Sequence, residues 1–190
     1  KKSDNIHRSI EDLANFLHLT NLIENYSVPY SECHSASKKV HQGYPIDYIT
    51  SDPYLKSVIQ PMIYNYKVKK VDSPFKILST HKHMLPNSLE LGLPGEVRTH
   101  DHKSPAGFQY YDKDLIYDGL YEFCETTDQE PFLRHAFFEY IHPFSDGNGR
   151  VGRAILCNDL DYDFDKVNRL IRYDYIQRLN TCFEMFRNQH

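Results

Sequence analysis

Apolar residues recur every three or four positions over most of this chain, the spacing of one buried helix face. Ile10, Leu13, Phe16, Leu17 and Leu22 predict an amphipathic helix over residues 9–26. Residues 30–43 hold a short helix around 33–41. Leu55, Val58, Ile59, Met62, Ile63 and Tyr66 are helically spaced, with a kink expected at Pro61. Ser73-Pro74 reads as an N-cap followed by proline at the first helical position. The helix it opens carries Phe75, Leu78, His81, Met84 and Leu85. A further helix is predicted over 114–125, weakened at Gly119. Another covers 129–141, with Phe132, Ala136 and Tyr140 on one face. A long final helix over 165–187 rests on Val167, Leu170, Ile171, Leu179, Phe183 and Phe186. The fold class is mainly α, a helical bundle in a single domain, 1–190.

One stretch departs from this period. Residues 92–111 contain Pro94, Gly95, Pro105 and Gly107, with Glu96-Val97-Arg98-Thr99 on one side and Phe108-Gln109-Tyr110-Tyr111 on the other. That pattern predicts a β-hairpin with its tip at 103–107.

Composition narrows the class. With 26 acidic and 22 basic residues the net charge is −4, and the bases are scattered, so no nucleic-acid footprint stands out. No apolar run approaches membrane-spanning length, and no signal peptide is visible. Cys33, Cys124, Cys157 and Cys182 form no close pair and read as reduced thiols of a cytoplasmic protein. His100-Asp101-His102 offers two ligands and no obvious third, so a solvated loop is the expectation there, not a metal site. His81 and His83 do not share a helix face. His135, about two turns before His142, reads as a packed core histidine.

The chemistry concentrates in twelve residues, His142-Pro143-Phe144-Ser145-Asp146-Gly147-Asn148-Gly149-Arg150-Val151-Gly152-Arg153. Pro143 ends the helix that carries His142. Gly147 and Gly149 allow a tight turn and close approach to a ligand. A new helix starts near Asn148 or Gly149, and its N-terminus presents N–H groups and a positive dipole end to an anion. Arg150 and Arg153 lie three apart and share a helix face, where two guanidiniums can clamp successive phosphates. Asp146 can hold Mg²⁺ against those phosphates.

This string resembles the signature of the Fic family, HPFx[D/E]GNGRxxR, at every specified position. The resemblance implies a Fic-type helical bundle and an enzyme, a protein adenylyltransferase (AMPylator). His142 would be the base that takes a proton from a target hydroxyl. That hydroxyl would attack the α-phosphate of ATP, leaving AMP on a Ser, Thr or Tyr of a target protein. Asp146 would bind Mg²⁺. Asn148 with the backbone of Gly147 and Gly149 would hold the α- and β-phosphates, and Arg150 and Arg153 the β- and γ-phosphates. Phe144 would anchor the loop. The 92–111 hairpin would be the family's flap, which holds the target backbone by strand addition. The link at 160–165 is short and acidic for the family, and it leaves the adenine-side wall unassigned.

A second match lies upstream. Thr20-Asn21-Leu22-Ile23-Glu24-Asn25 fits [S/T]xxxE[G/N], the inhibitory motif of many Fic proteins. Thr20 and Glu24 share a helix face. By resemblance, Glu24 pairs with Arg153 and competes with the γ-phosphate, so residues 1–26 form an inhibitory helix region. Other readings stay open. They are AMP removal, with Glu24 orienting a water; a UTP or CDP-choline donor; and a nucleotide-binding module without catalysis. A homo-dimer in which one subunit holds the inhibitory helix of another also fits the sequence.

Overall fold

Leu13, Ala14, Phe16, Leu17, Thr20 and Asn21 are all buried, and their spacing is why α1 (Lys2–Ile23) lies lengthwise on the core. The computed structural model describes residues 2–84, 90 and 92–189. Leu85, assigned by pattern to the helix after Ser73, falls outside them. Helix α1 packs on α2 (Tyr30–His41), α4 (Pro53–Val68) and α9 (Phe164–Ile171). Leu22, counted on the apolar face, is instead 50% exposed. Asn25 ends α1 in a left-handed conformation (φ 61°), and Tyr26 N–H returns to the Asn21 carbonyl at 2.8 Å. The Asn of the upstream motif is therefore a helix stop.

A short turn of helix, α3 (Ile46–Ile49), leads into α4, which starts at an Asp52 N-cap and runs through Pro61 without a break in assignment. Helix α5 (Pro74–Lys82) begins as the sequence predicts, with Ser73 accepting from Lys76 N–H at 3.3 Å. Phe75, however, is 74% exposed. The 114–125 prediction resolves into a 3₁₀ turn (Lys113–Leu115) and α6 (Ile116–Cys124).

Helices α7 (Pro131–Ile141) and α8 (Asn148–Asp159) carry the motif between them. Buried Arg134 of α7 binds Asp159 of α8 at 2.6 Å and lies 3.9 Å over the Phe123 ring. Asn158 donates to the Lys69 carbonyl at 2.6 Å, tying α8 to the end of α4.

Two expectations are corrected. The final helix is two, α9 and α10 (Tyr175–Gln189). Tyr173 (φ 32°) and Asp174 (φ 55°) turn left-handed between them, and Arg178 donates across the break to the Leu170 carbonyl. The turn delivers Tyr175 to the motif. The hairpin over 92–111 is reduced, among the described residues, to one antiparallel bridge, Lys103 with Gln109. The tip is a turn as predicted, with Gly107 N–H on the Ser104 carbonyl at 2.8 Å. The first arm is diverted because Arg98 N–H pairs with the Pro143 carbonyl at 2.9 Å instead. The buried Arg98 guanidinium also donates to the carbonyls of His142 (2.6 Å), His100 (2.7 Å), Ile141 (3.2 Å) and Tyr111. One arginine thus satisfies the exposed end of α7 and competes with strand pairing.

Candidate active site

Residues 142–148 form a tight loop between α7 and α8. His142 stands at the C-terminus of α7 in a left-handed conformation (φ 48°). Phe144 is fully buried and stacks on His81 with ring centroids 3.8 Å apart. The Asn148 side chain closes the loop, accepting from Phe144 N–H at 2.9 Å and donating to the Phe144 carbonyl at 2.8 Å. Gly147 begins α8 at φ 85°, with no side-chain cap. The first-turn N–H groups of α8 thus lack a side-chain cap, the arrangement of a helix end able to receive an anion.

His142 is arranged as a neutral base. Its Nδ1 lies 3.3 Å from the Glu139 carbonyl, which can only accept, so Nδ1 carries the proton and Nε2 keeps its lone pair. Tyr110 stacks flat on the imidazole at 3.8 Å, and the His102 ring lies 5.0 Å away. Burial, then His102, pushes the His142 pKa down to about 3. The 100–102 segment is thus no simple solvated loop, since His102 is half-buried against the base. Among the described residues no His, Cys, Asp and Glu group is arranged to hold a metal.

Asp146 Oδ1 accepts from Gly147 N–H and Oδ2 from Glu90 N–H, each at 2.7 Å, and Oδ1 lies 3.6 Å from Arg150. Arg150 is buried and donates to Ser57 Oγ at 3.0 Å, with Tyr26 5.7 Å from its guanidinium. Arg153 is held by α1 and the residues that follow it, not by α4. Its Nε donates to Thr20 Oγ1 at 2.7 Å and its Nη2 to Glu24 Oε1. This contact joins the upstream and downstream motifs within one chain, across 129 positions. Burial opposes the charge on Arg153, but Glu24, Tyr175 and Glu139 more than offset it, and its pKa lies above the usual value.

Several supports have partners that no spacing in the sequence marks, although His135 is the packed core histidine expected of it. His81 accepts from Gly95 N–H at Nδ1 (2.8 Å) and so donates from Nε2 to the Asp146 carbonyl at 2.9 Å. Buried His135 donates from Nδ1 to the Gly152 carbonyl (3.1 Å) and accepts from the Tyr175 hydroxyl at Nε2 (2.6 Å). Glu139 lies buried beneath Gly152. A cavity of about 350 Å³ is lined by Glu24, Glu139, His142, Gly149 and Arg153, with Ser104–Ala106 of the bridged loop at its edge. A larger cavity of about 770 Å³, bounded by Ile46, Met62 and Phe164, touches none of the motif.

Two stability predictions arise here. At Gly152 any Cβ would overlap the buried Glu139 Oε1. Gly152→Ala is expected to cost about 1–3 kcal/mol, the usual range for overpacking. Urea unfolding would measure it, and Glu139→Ala in the same chain should recover part of the loss. The second concerns pH. His81 is lowered to about 4, and His135 and His142 to about 3, in each case chiefly by burial. Glu139 is raised to about 8, also by burial. Between pH 6.5 and 4.5 the unfolded chain gains protons on three imidazoles that the folded one refuses. Over the same window Glu139 opposes this with one proton, because its folded form is already protonated. The net effect is that stability falls as pH drops, by roughly 2 kcal/mol per pH unit on average, shallow near pH 6.5 and steeper toward 4.5. Thermal melts at pH 6.5, 5.5 and 4.5 would check this.

Residues 73–158 match the model of the Fic/DOC family, which supports a Fic domain in this stretch of the chain. Members are typically transferases that modify proteins, by AMPylation or a related nucleotidyl transfer. No curated protein matches the chain. A solved Fic family protein from Desulfovibrio desulfuricans G20 is similar over 92% of this chain and 57% of its own, with a TM-score of 0.62 and 16% identity. A fragment of Fic-1 from C. elegans is similar over 97% of this chain and 67% of its own, with a TM-score of 0.52 and 17% identity. At these identities the likeness is one of fold. The chain spans little more than half the length of the first of these structures. Among the described residues no helix is long and apolar enough to cross a membrane.

Proposed function

We propose that this chain is a self-inhibited protein adenylyltransferase. The observation that carries the reading is a single cavity lined at once by His142, Gly149, Arg153 and Glu24. His142 Nε2 accepts the proton of a target hydroxyl as its oxygen attacks the α-phosphorus of ATP. The bond to the bridging oxygen breaks, and pyrophosphate leaves with the electron pair. The N-terminus of α8 and Arg153 hold the polyphosphate, and developing negative charge meets fixed dipoles and guanidinium. Arg150 supplies a second cation behind Asp146. Asp146 suits Mg²⁺: it is one partly exposed carboxylate beside a phosphate-binding helix end, and this ion commonly takes one or two carboxylates with substrate phosphates and water. Bound there, the ion would neutralise phosphate charge.

Glu24 supports the self-inhibition. It occupies Arg153, so an arriving γ-phosphate must displace a charge-assisted hydrogen bond. A second reading rests on the same carboxylate. Glu24 shares its cavity with His142, where it could orient a water to hydrolyse an AMP–protein bond. A donor panel of ATP, GTP, UTP and CDP-choline, each followed by calorimetric binding to Glu24→Gly with Mg²⁺, tests the function. Tight binding of ATP alone supports it. Binding of none, or of another donor only, overturns it.

A further inference from the structure

Glu139 lies on α7 one turn before His142, is 6% exposed, and its Oε1 has no hydrogen-bond partner among the described residues. A carboxyl buried without a partner is costly, so its position needs a reason. Packing alone gives none. The group sits over the Cα of Gly152, a position that any side chain would fill, and the next residue along α8 is Arg153. The groups facing it are Glu24 from α1, Arg153 from α8, Tyr175 from α10, Tyr110 from the bridged loop and His142 from its own helix end. The cation in that set is Arg153, now engaged by Thr20 and Glu24.

We propose that Glu139 is the reserve partner of Arg153, a positioning residue that takes the guanidinium when Glu24 leaves it and yields it when a polyphosphate arrives. The proposal rests on the polyphosphate reading of Arg153 given above. Its physical basis is the burial of Arg153, which is 2% exposed. Removing one partner from a buried ion pair leaves an uncompensated charge and is strongly destabilising. Any release of Glu24 would do this unless a second acid stood within reach. Glu139, which lines the same cavity as Arg153, is that acid, and its unpartnered Oε1 is the acceptor the guanidinium would take.

The proton follows the charge. With Glu24 on Arg153, burial holds Glu139 protonated, its pKa pushed up to about 8, while Arg153 pulls it down and Glu24 pushes it further up. With Glu24 gone, Arg153 pulls unopposed and Glu139 releases its proton to solvent. A triphosphate on Arg153 restores the first situation, and Glu139 takes a proton back. Nucleotide binding to the released protein is therefore coupled to proton uptake near neutral pH, and affinity falls as pH rises through that window.

The test is a carbon-13 carboxyl titration of Glu139 in the parent chain and in Glu24→Gly. Direct pairing with a guanidinium lowers a carboxyl well beyond what loss of one nearby like charge does. The expected result is a fall from about 8 to about 6 or below. A Glu139 that still titrates above about 7 in Glu24→Gly overturns the pairing. Calorimetry of Mg-ATP binding at pH 7 in buffers of differing ionisation enthalpy gives the second readout. Glu24→Gly should take up close to one more proton than Glu24→Gly with Glu139→Gln, whose amide copies the neutral acid and preserves the fold. Equal uptake overturns the coupling. A lowered titration without any ATP binding upholds the pairing and removes the nucleotide reading. ATP binding with an unmoved titration removes the pairing alone.

Discussion

Replacing Glu24 by glycine is expected to raise the rate of AMP self-labelling about 10- to 100-fold. The size follows from what ATP must displace. In the parent chain the Arg153 guanidinium donates to Glu24 Oε1 and Thr20 Oγ1. A hydrogen bond to a charged group is worth about 1.5–3 kcal/mol, and each 1.4 kcal/mol is tenfold. Glycine removes the acceptor and leaves Thr20 in place. It also clears the approach to α8, because Glu24 Oε1 stands 2.5 Å from where a Cβ on Gly149 would be. The carboxylate therefore sits directly over the first turn of α8, the helix proposed to hold the phosphates. The gain should appear mainly in the affinity for ATP with its γ-phosphate, and AMP, which lacks the β- and γ-phosphates, should bind the two proteins alike. Isothermal calorimetry with ATP and AMP separates these effects. A Glu24→Gly protein that binds ATP no better than the parent would mean that the carboxylate is not the brake.

The second large effect is expected from His142→Ala in the Glu24→Gly background, a loss of labelling of at least about 100-fold with ATP affinity nearly unchanged. General base catalysis is typically worth 10²–10⁴-fold. The histidine is suited to it, since Nδ1–H is fixed on the Glu139 carbonyl and Nε2 is left to accept. Its lowered pKa keeps the ring neutral far below pH 6.5, so labelling should show no acid limb near 6.5 while the fold persists. Because the proposed polyphosphate contacts lie on α8, ATP binding should survive the substitution. Circular dichroism would establish that the helical content is unchanged. Parallel loss of ATP binding and labelling would instead place His142 in the ligand site and leave the base unidentified.

What the sequence disclosed was local. Ser73-Pro74 and the helix start near Asn148 rest on neighbours within a few residues, so turn and cap chemistry sufficed, whereas the left-handed stop at Asn25 falls inside the stretch read as helix. The Thr20–Glu24 spacing indicated a shared face, and a family resemblance supplied its distant partner, Arg153. The supports that hold the site were illegible because they are contacts between remote segments. Arg98 reaches His142 across 44 positions, His81 reaches Asp146 across 65, and Tyr175 reaches His135 across 40. No spacing rule marks such pairs. The hairpin was misjudged for the same reason. Its arms have strand-like residues, but buried Arg98 gives its hydrogen bonds to the end of α7, and one bridge at Lys103 and Gln109 remains. The break between α9 and α10 carries no glycine or proline. Tyr173 and Asp174 adopt left-handed conformations, and of the two only Asp174 is of a type that favours them, too weak a signal to mark a helix break. Nothing in the sequence marks Glu139, and it is the packing of α7 on α8 that buries it beneath Gly152.

The measurement that tests the account most directly is self-labelling with α-labelled ATP and Mg²⁺. Three proteins are compared: the parent chain, Glu24→Gly, and Glu24→Gly with His142→Ala. The account predicts label in the single variant, at most a trace in the parent and none in the double variant. Equal label in all three, or none in any while ATP is bound, would contradict it.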